Sequence, residues 1–164
     1  MKTSKGGFRY RREQRLDGRA PDAYRSRAKL PEPARCRDCG AVYRRGRWAW
    51  KGAGEAARPV RCPACQRIKD GMPAGYVRIS GSYAGEHRED IVRRIRRCEA
   101  AESKAHPLQR IIALTRDGAD LVVTTTDSHL ARRFGEALEK SFKGAAAYRY
   151  GKEDNLLRVD WRRD

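Results

Sequence analysis

Two Cys-x-x-Cys pairs in the first half of this 164-residue chain, and strand and helix periodicities alternating through the second, predict an α+β protein. The expected architecture is a small four-cysteine zinc ribbon followed by a mostly antiparallel sheet with two helices, in the order β-α-β-β-α-β-β. A basic disordered N-terminal arm precedes both. A third observation, 38 Lys and Arg against 21 Asp and Glu, bears on the kind of partner. Composition places the boundaries: arm over 1–34, cysteine module over 35–75, α+β domain over 76–164.

The arm, "MKTSKGGFRYRREQRLDGRAPDAYRSRAKLPEP", is rich in Arg and Lys and shows no sustained apolar period. Phe8, Tyr10 and Tyr24 interrupt it, and nothing in it can bury a face. Pro31 and Pro33 mark its end. Arg9, Arg11 and Arg12 are its candidate phosphate contacts.

In the module, "CRDCG" supplies Cys36 and Cys39, and "CPACQR" supplies Cys62 and Cys65. The second pair stands before a basic turn and a Pro-Ala-Gly punctuation. Zinc takes four thiolates in a tetrahedron, and each Cys-x-x-Cys turn supplies two from one tight knuckle. Gly40, just after Cys39, lets the backbone turn with positive φ. The pairs are separated by 22 residues, slightly more than the roughly 15–20 usual for such sites. A loop containing Gly46, Gly52 and Gly54 absorbs the excess. One zinc with four protein ligands leaves no open coordination position, so the expected site is structural. A redox dithiol needs a single pair at a strand-to-helix junction, which two pairs flanking a Gly-rich loop do not resemble. Few aliphatic residues lie between 36 and 75, so metal binding is expected to substitute for a core.

From residue 76 the pattern is that of a packed domain. "GYVRISGSY" alternates Val77 and Ile79 against Tyr76, Arg78 and Ser80, as a strand does. Residues 86–103 read as a helix with Ile91, Ile95, Cys98 and Glu102 on one stripe, widened by Val92. Cys98 is there a small buried hydrophobe. Strands at about 108–115 and 120–125 are joined through Asp117-Gly118, a hairpin signal. Thr126 or Asp127 caps a helix over about 128–142, with Leu130, Ala131, Phe134, Ala137, Leu138 and Phe142 facing the core and Gly144 as its stop. "AAAYRY" and "NLLRVDW" give two last strands, the second with Leu157, Val159 and Trp161 on one side.

The net charge of +17 and pI near 10.3 favour a polyanion, nucleic acid first, through counterion release. No apolar run approaches the ~20 residues that span a bilayer, and the N-terminus lacks a secretory apolar region. A cytoplasmic protein without a membrane partner is expected, and five cysteines argue against a closed disulfide set. "VYRRGRWAWKG" gathers Arg44, Arg45, Arg47 and Lys51 around Trp48 and Trp50 as candidate RNA contacts. The tryptophans either stack on unpaired bases or pack on the zinc knuckles, and both readings stand. Arg93, Arg94, Arg96 and Arg97 are partly neutralised by Glu86, Glu89, Glu99 and Glu102.

Nothing points to catalysis or to a small-molecule substrate. His87, His106 and His129 are scattered, and Ser128 and His129 are adjacent, pointing about 100° apart on a helix. "TTTD" lacks the glycines and Lys-Ser/Thr of a phosphate-binding loop. A non-enzymatic protein is expected.

Three stretches carry a family resemblance: "CPACQRIKDGMPAG", "DIVRRIRRCEAAE" and "GADLVVTTTDSHLARRFGEALEKSF". They resemble the zinc-binding N-terminal part of the Nmd family, the archaeal and eukaryotic adapters that export the large ribosomal subunit. The chain is also similar to a set of small bacterial zinc-ribbon proteins. The likeness spans roughly residues 36–162, its specific parts being the cysteine pairs and the Thr-rich turn before the helix. That family usually carries four Cys-x-x-Cys pairs and two zincs, whereas two pairs here leave room for one, and the export-signal region has no counterpart. The resemblance therefore implies binding to rRNA or the ribosome, with the large subunit foremost, in assembly, quiescence or rescue, and not nuclear export. It also implies Cys36, Cys39, Cys62 and Cys65 as zinc ligands. The rival expectations are a zinc-dependent protein-interaction module and a DNA-binding regulator.

Overall fold

The computed structural model describes residues 24, 29–52, 54, 56–151 and 155–164. Most of the expected arm, including Arg9, Arg11 and Arg12, lies outside the described residues.

Four short strands open the fold: β1 (Ala34–Cys36), β2 (Val42–Arg44), β3 (Arg47–Ala49) and β4 (Arg58–Val60). They form one sheet in the order β3-β2-β1-β4. The neighbours β1/β2 and β2/β3 are antiparallel, and β4 runs parallel to β1. Pro59 is tolerated because β4 is an edge and need not donate outward. The β2–β3 loop is Arg45-Gly46, and both residues have positive φ, 51° and 74°. That is the mirror-image turn whose twist suits a two-residue hairpin.

The basic turn expected after the second cysteine pair is instead a helix, α1 (Pro63–Asp70). Its start is made by the knuckle itself. The backbone N–H of Cys65 donates to the Cys62 sulfur at 3.4 Å, and Pro63 sits in the first turn, where it has no lost hydrogen bond to answer for. Gly71 (φ +63°) ends the helix, donating to the carbonyls of Arg67 and Ile68.

The remaining elements follow the expected order with one short helix added: β5 (Gly75–Ser80), α2 (Ser82–Glu86), α3 (Arg88–Ala105), β6 (Ile111–Asp117), β7 (Asp120–Thr125), α4 (Ser128–Phe142), β8 (Ala145–Tyr150) and β9 (Leu157–Arg162). The five-stranded sheet runs β6-β7-β5-β9-β8, and only the β5/β9 pair is parallel. Asp127 is the cap of α4, its carboxylate accepting the His129 N–H at 2.7 Å. Strand β6 begins at Ile111 rather than near 108, because the preceding residues turn aside to meet the cysteine module.

The two parts hold together differently. Val77, Ile79, Val123, Leu157, Val159 and Trp161 project from the sheet onto Ile91 and Ile95 of α3 and Leu130, Phe134 and Leu138 of α4. Each such side chain contributes roughly 1.5–3 kcal/mol by leaving water. Cys98 lies in this core. The module's buried cluster is Cys36, Ala41, Cys62, Ala64 and Cys65, with Cys39, Trp48 and Leu108 against it. Sulfur and alanine supply little apolar area, and a cluster so small does not order some forty residues by burial alone. Among the described residues no helix is long and apolar enough to cross a membrane.

Candidate metal centre and the basic hairpin

Each cysteine is positioned by a different backbone device. Cys36 ends β1, and Gly40 (φ +80°) turns the chain back so that the Cys36 N–H reaches the Ala41 carbonyl at 2.7 Å. Cys39 lies within this turn. Cys62 precedes α1 and Cys65 stands in its first turn. The four sulfurs lie within 4.8 Å of one another, three of the residues buried and Cys39 half-buried. The cluster can therefore hold a metal ion. Tetrahedral zinc with bonds of about 2.3 Å to sulfur would space its ligands about 3.8 Å apart. The Cys39 and Cys62 sulfurs are 3.8 Å apart, far beyond a disulfide bond. The Cys62 N–H also donates to the Cys36 sulfur at 3.3 Å, as thiolate-binding knuckles do. Asp38 and Arg61, the residues just before Cys39 and Cys62, form an ion pair at 2.5 Å that joins the two knuckles on the outside.

Cys36 is drawn toward the thiolate, whereas Cys39 and Cys62 are held as thiols. Burial pushes Cys36 up, but the N–H groups of Cys62, Cys39 and Asp38 outweigh it and bring it down to about 7. Burial pushes Cys39 and Cys62 up, and neighbouring sulfurs add to this. Four thiolates in one site thus need a cation among them, which inverts the balance.

One cation comes from outside the module. The Arg110 guanidinium, just ahead of β6, donates from Nη2 to Cys65 Sγ at 3.1 Å and to Cys62 Sγ at 3.4 Å. Burial works against its charge, but the hydrogen bond to Cys65 and the surrounding thiols overcome this and raise its pKa. Its backbone is held on both sides by Thr126: the Arg110 N–H donates to Thr126 Oγ1 and the Thr126 N–H to the Arg110 carbonyl, both at 2.9 Å. Leu108 packs on the cysteine cluster from the same segment. The sequence reading missed Arg110, since a contact 45 and 48 residues away leaves no local signal. Thr126, the alternative cap that the sequence offered, serves this junction instead, its Oγ1 accepting from the Arg110 N–H and donating to the Leu108 carbonyl.

The β2–β3 hairpin has two faces, set by strand alternation and register. Tyr43 and Trp48 pair on the inner one, ring centroids 5.3 Å apart, with Trp48 against the cysteine cluster. On the outer one, Arg44 faces Arg47 and Val42 faces Ala49. Arg35 of β1 shares that face opposite Val42. Arg44, Arg45, Arg47 and Lys51 line an open hollow of about 260 Å³ floored by Val42 and Ala49. That is smaller than the roughly 300–1,000 Å³ pockets that enclose small molecules. Trp50 lies beyond the end of β3, 40% exposed, with its indole N–H donating to the Ser103 carbonyl of α3 at 2.6 Å. So the structure gathers the four predicted cations and turns the two tryptophans away from them.

Charge is uneven along the chain. Residues 1–75 hold 20 Lys and Arg against seven Asp and Glu, and residues 76–164 hold 18 against 14. Arg93 and Arg96 pair with Asp90 and Glu99 on their own helix, and Arg78 with Asp117 and Asp120. The end of the arm joins the module: Tyr24 donates to Asp70 of α1 at 3.0 Å, under the Arg67 guanidinium at 4.3 Å from its ring. Away from the module, His87 stacks on Tyr83 with centroids 4.0 Å apart.

No protein-family model, curated protein or solved structure matches this chain.

Proposed function

We propose that the chain is a non-catalytic zinc-binding protein that associates through ribosomal RNA with the large subunit of the ribosome, during assembly, quiescence or rescue. The observation that carries the RNA reading is the β2–β3 hairpin. Arg44 stands directly opposite Arg47, a like-charge pair that costs stability in a sheet. Arg45 takes the turn position with φ +51°, where Asn or Gly is at ease. Two local violations in one four-residue turn, both of which concentrate guanidinium groups, are what a polyanion site looks like. The zinc belongs to Cys36, Cys39, Cys62 and Cys65, whose all-sulfur donor set, closed geometry and 3.8 Å sulfur separation suit a structural tetrahedral ion. The likeness of the cysteine pairs and the Thr-rich turn to the Nmd family supplies the large subunit as partner.

The test is sedimentation of the tagged protein through sucrose gradients at low salt, with the metal measured in each fraction. Co-migration with the large subunit, carrying one equivalent of zinc and lost at high salt, is expected. Protein that stays at the top of the gradient, while binding free RNA and DNA equally, overturns the ribosomal reading. Protein that binds neither nucleic acid overturns the RNA reading as well.

A further inference from the structure

We propose that the outer face of the β2–β3 hairpin recognises the phosphate backbone of double-stranded RNA rather than unpaired bases. The inference rests on the RNA reading above and names the form of RNA that this site takes. Single strands are gripped largely by bases stacking on aromatic platforms. The hairpin offers none on its cationic face. Tyr43 and Trp48 lean on each other on the opposite face, and Trp48 covers the cysteines. Trp50 is tied by its indole N–H to the end of α3 at 2.6 Å, which fixes its ring beside the helix rather than over the hollow.

What the outer face does offer is positive charge. Arg35, Arg44 and Arg47 are exposed on adjacent strands. Arg44 is steadied by an Nη1 bond to the Gly52 carbonyl at 3.1 Å. Arg45 is projected at the tip by its turn, its own N–H held by the Glu32 carboxylate at 2.8 Å. That carboxylate meets backbone and does not line the hollow. Lys51 closes the far end. Contacts of this kind go to phosphates, and each phosphate neutralised on a duplex releases more counterion than on a single strand, with salt slopes of about 0.9 against about 0.7 per contact. A shallow, open, cationic surface also suits duplex RNA, which proteins read by shape and backbone rather than by base edges.

The experiment uses the full chain with zinc bound, and two labelled RNAs of equal length, a hairpin duplex and an unstructured strand, titrated across a salt series. The duplex is expected to bind about tenfold tighter at moderate salt. Arg45→Gln and Arg47→Gln, with zinc content unchanged, should each lower the duplex salt slope by about 1. Trp50→Ala should leave duplex affinity within about twofold. Tighter binding of the single strand, or a loss of about tenfold or more in Trp50→Ala, overturns this inference alone. Binding of neither RNA overturns it together with the reading on which it rests.

Discussion

Replacing Arg110 with methionine keeps a long unbranched stem at the junction while removing the one guanidinium that reaches the cysteine sulfurs among the described residues. A divalent ion held by four thiolates carries a net charge of −2, and Arg110 offsets half of it from 3.1 Å and 3.4 Å. A hydrogen bond to a charged group contributes about 1.5–3 kcal/mol net. The longer second contact adds little, so one bond's worth is the fair figure. An independent scale gives the same range. Loss of a group that hydrogen-bonds a metal ligand typically costs about 10–100-fold in metal affinity, which is about 1.4–2.8 kcal/mol at 1.4 kcal/mol per tenfold. Arg110→Met is therefore expected to weaken zinc binding by about 30-fold. Arg110→Lys, which restores the charge as a single point without the fork, should recover part of that loss. The assay is competition for zinc against a chromophoric chelator at fixed pH. It should be repeated at high salt, where a half-buried pair is screened little and the difference should persist. Arg110→Met that binds zinc within twofold of the parent, or Arg110→Lys no better than Arg110→Met, refutes the electrostatic account and leaves Arg110 a packing residue.

Further outcomes follow from the same geometry. Cys36→Ser and Cys62→Ser should each release the metal and lose the structure of the 36–75 segment, whereas Cys98→Ala, in the other core, should keep one zinc by elemental analysis. Gly75→Ala should destabilise the five-stranded unit by about 3 kcal/mol, the upper range for overpacking, since a Cβ there would sit 2.5 Å from Ala131 Cβ and 3.2 Å from the Asp127 carbonyl. Denaturant titration measures it, and a loss under about 1 kcal/mol contradicts the packing. Arg45→Asn should stabilise the hairpin by about 0.5–1 kcal/mol, the relief of a positive φ, while RNA binding weakens. A variant that is less stable, or that binds RNA as before, removes Arg45 from the site.

What was legible in the sequence is what local chemistry or a short period encodes. The four ligand cysteines announce themselves by spacing, and Ile91, Ile95 and Cys98 by theirs, because each pattern lies within one turn or one helix. The helix after Cys62 was legible in principle, since Pro63 at its start and Gly71 at its end are boundary signals. The two tryptophans were undecidable, because their direction depends on the register of β2 against β3 and on Ser103, 53 residues from Trp50. Arg110 was invisible for the same reason. The chain gives no local mark to a residue whose role is to reach across from one sheet to the other unit's sulfurs.

The metal centre and the hairpin are one device rather than two neighbours. The hairpin's outer face is crowded with like charge, and its strands are only three residues long. Such a ribbon has no stability of its own in water. Its inner face supplies what the outer one withdraws: Trp48 rests on the cysteine cluster, and Tyr43 rests on Trp48. An ion gathering the four sulfurs would therefore also give that aromatic pair a rigid floor. Arg110 and Leu108 then fix the floor to the larger sheet, whose core of Trp161, Phe134 and the aliphatic stripe needs no metal. Arginines that repel one another can be held at a fixed spacing only if something behind them is rigid. Here that rigidity would come from the four sulfurs and the ion they can hold, in a segment with too little hydrocarbon to make it otherwise.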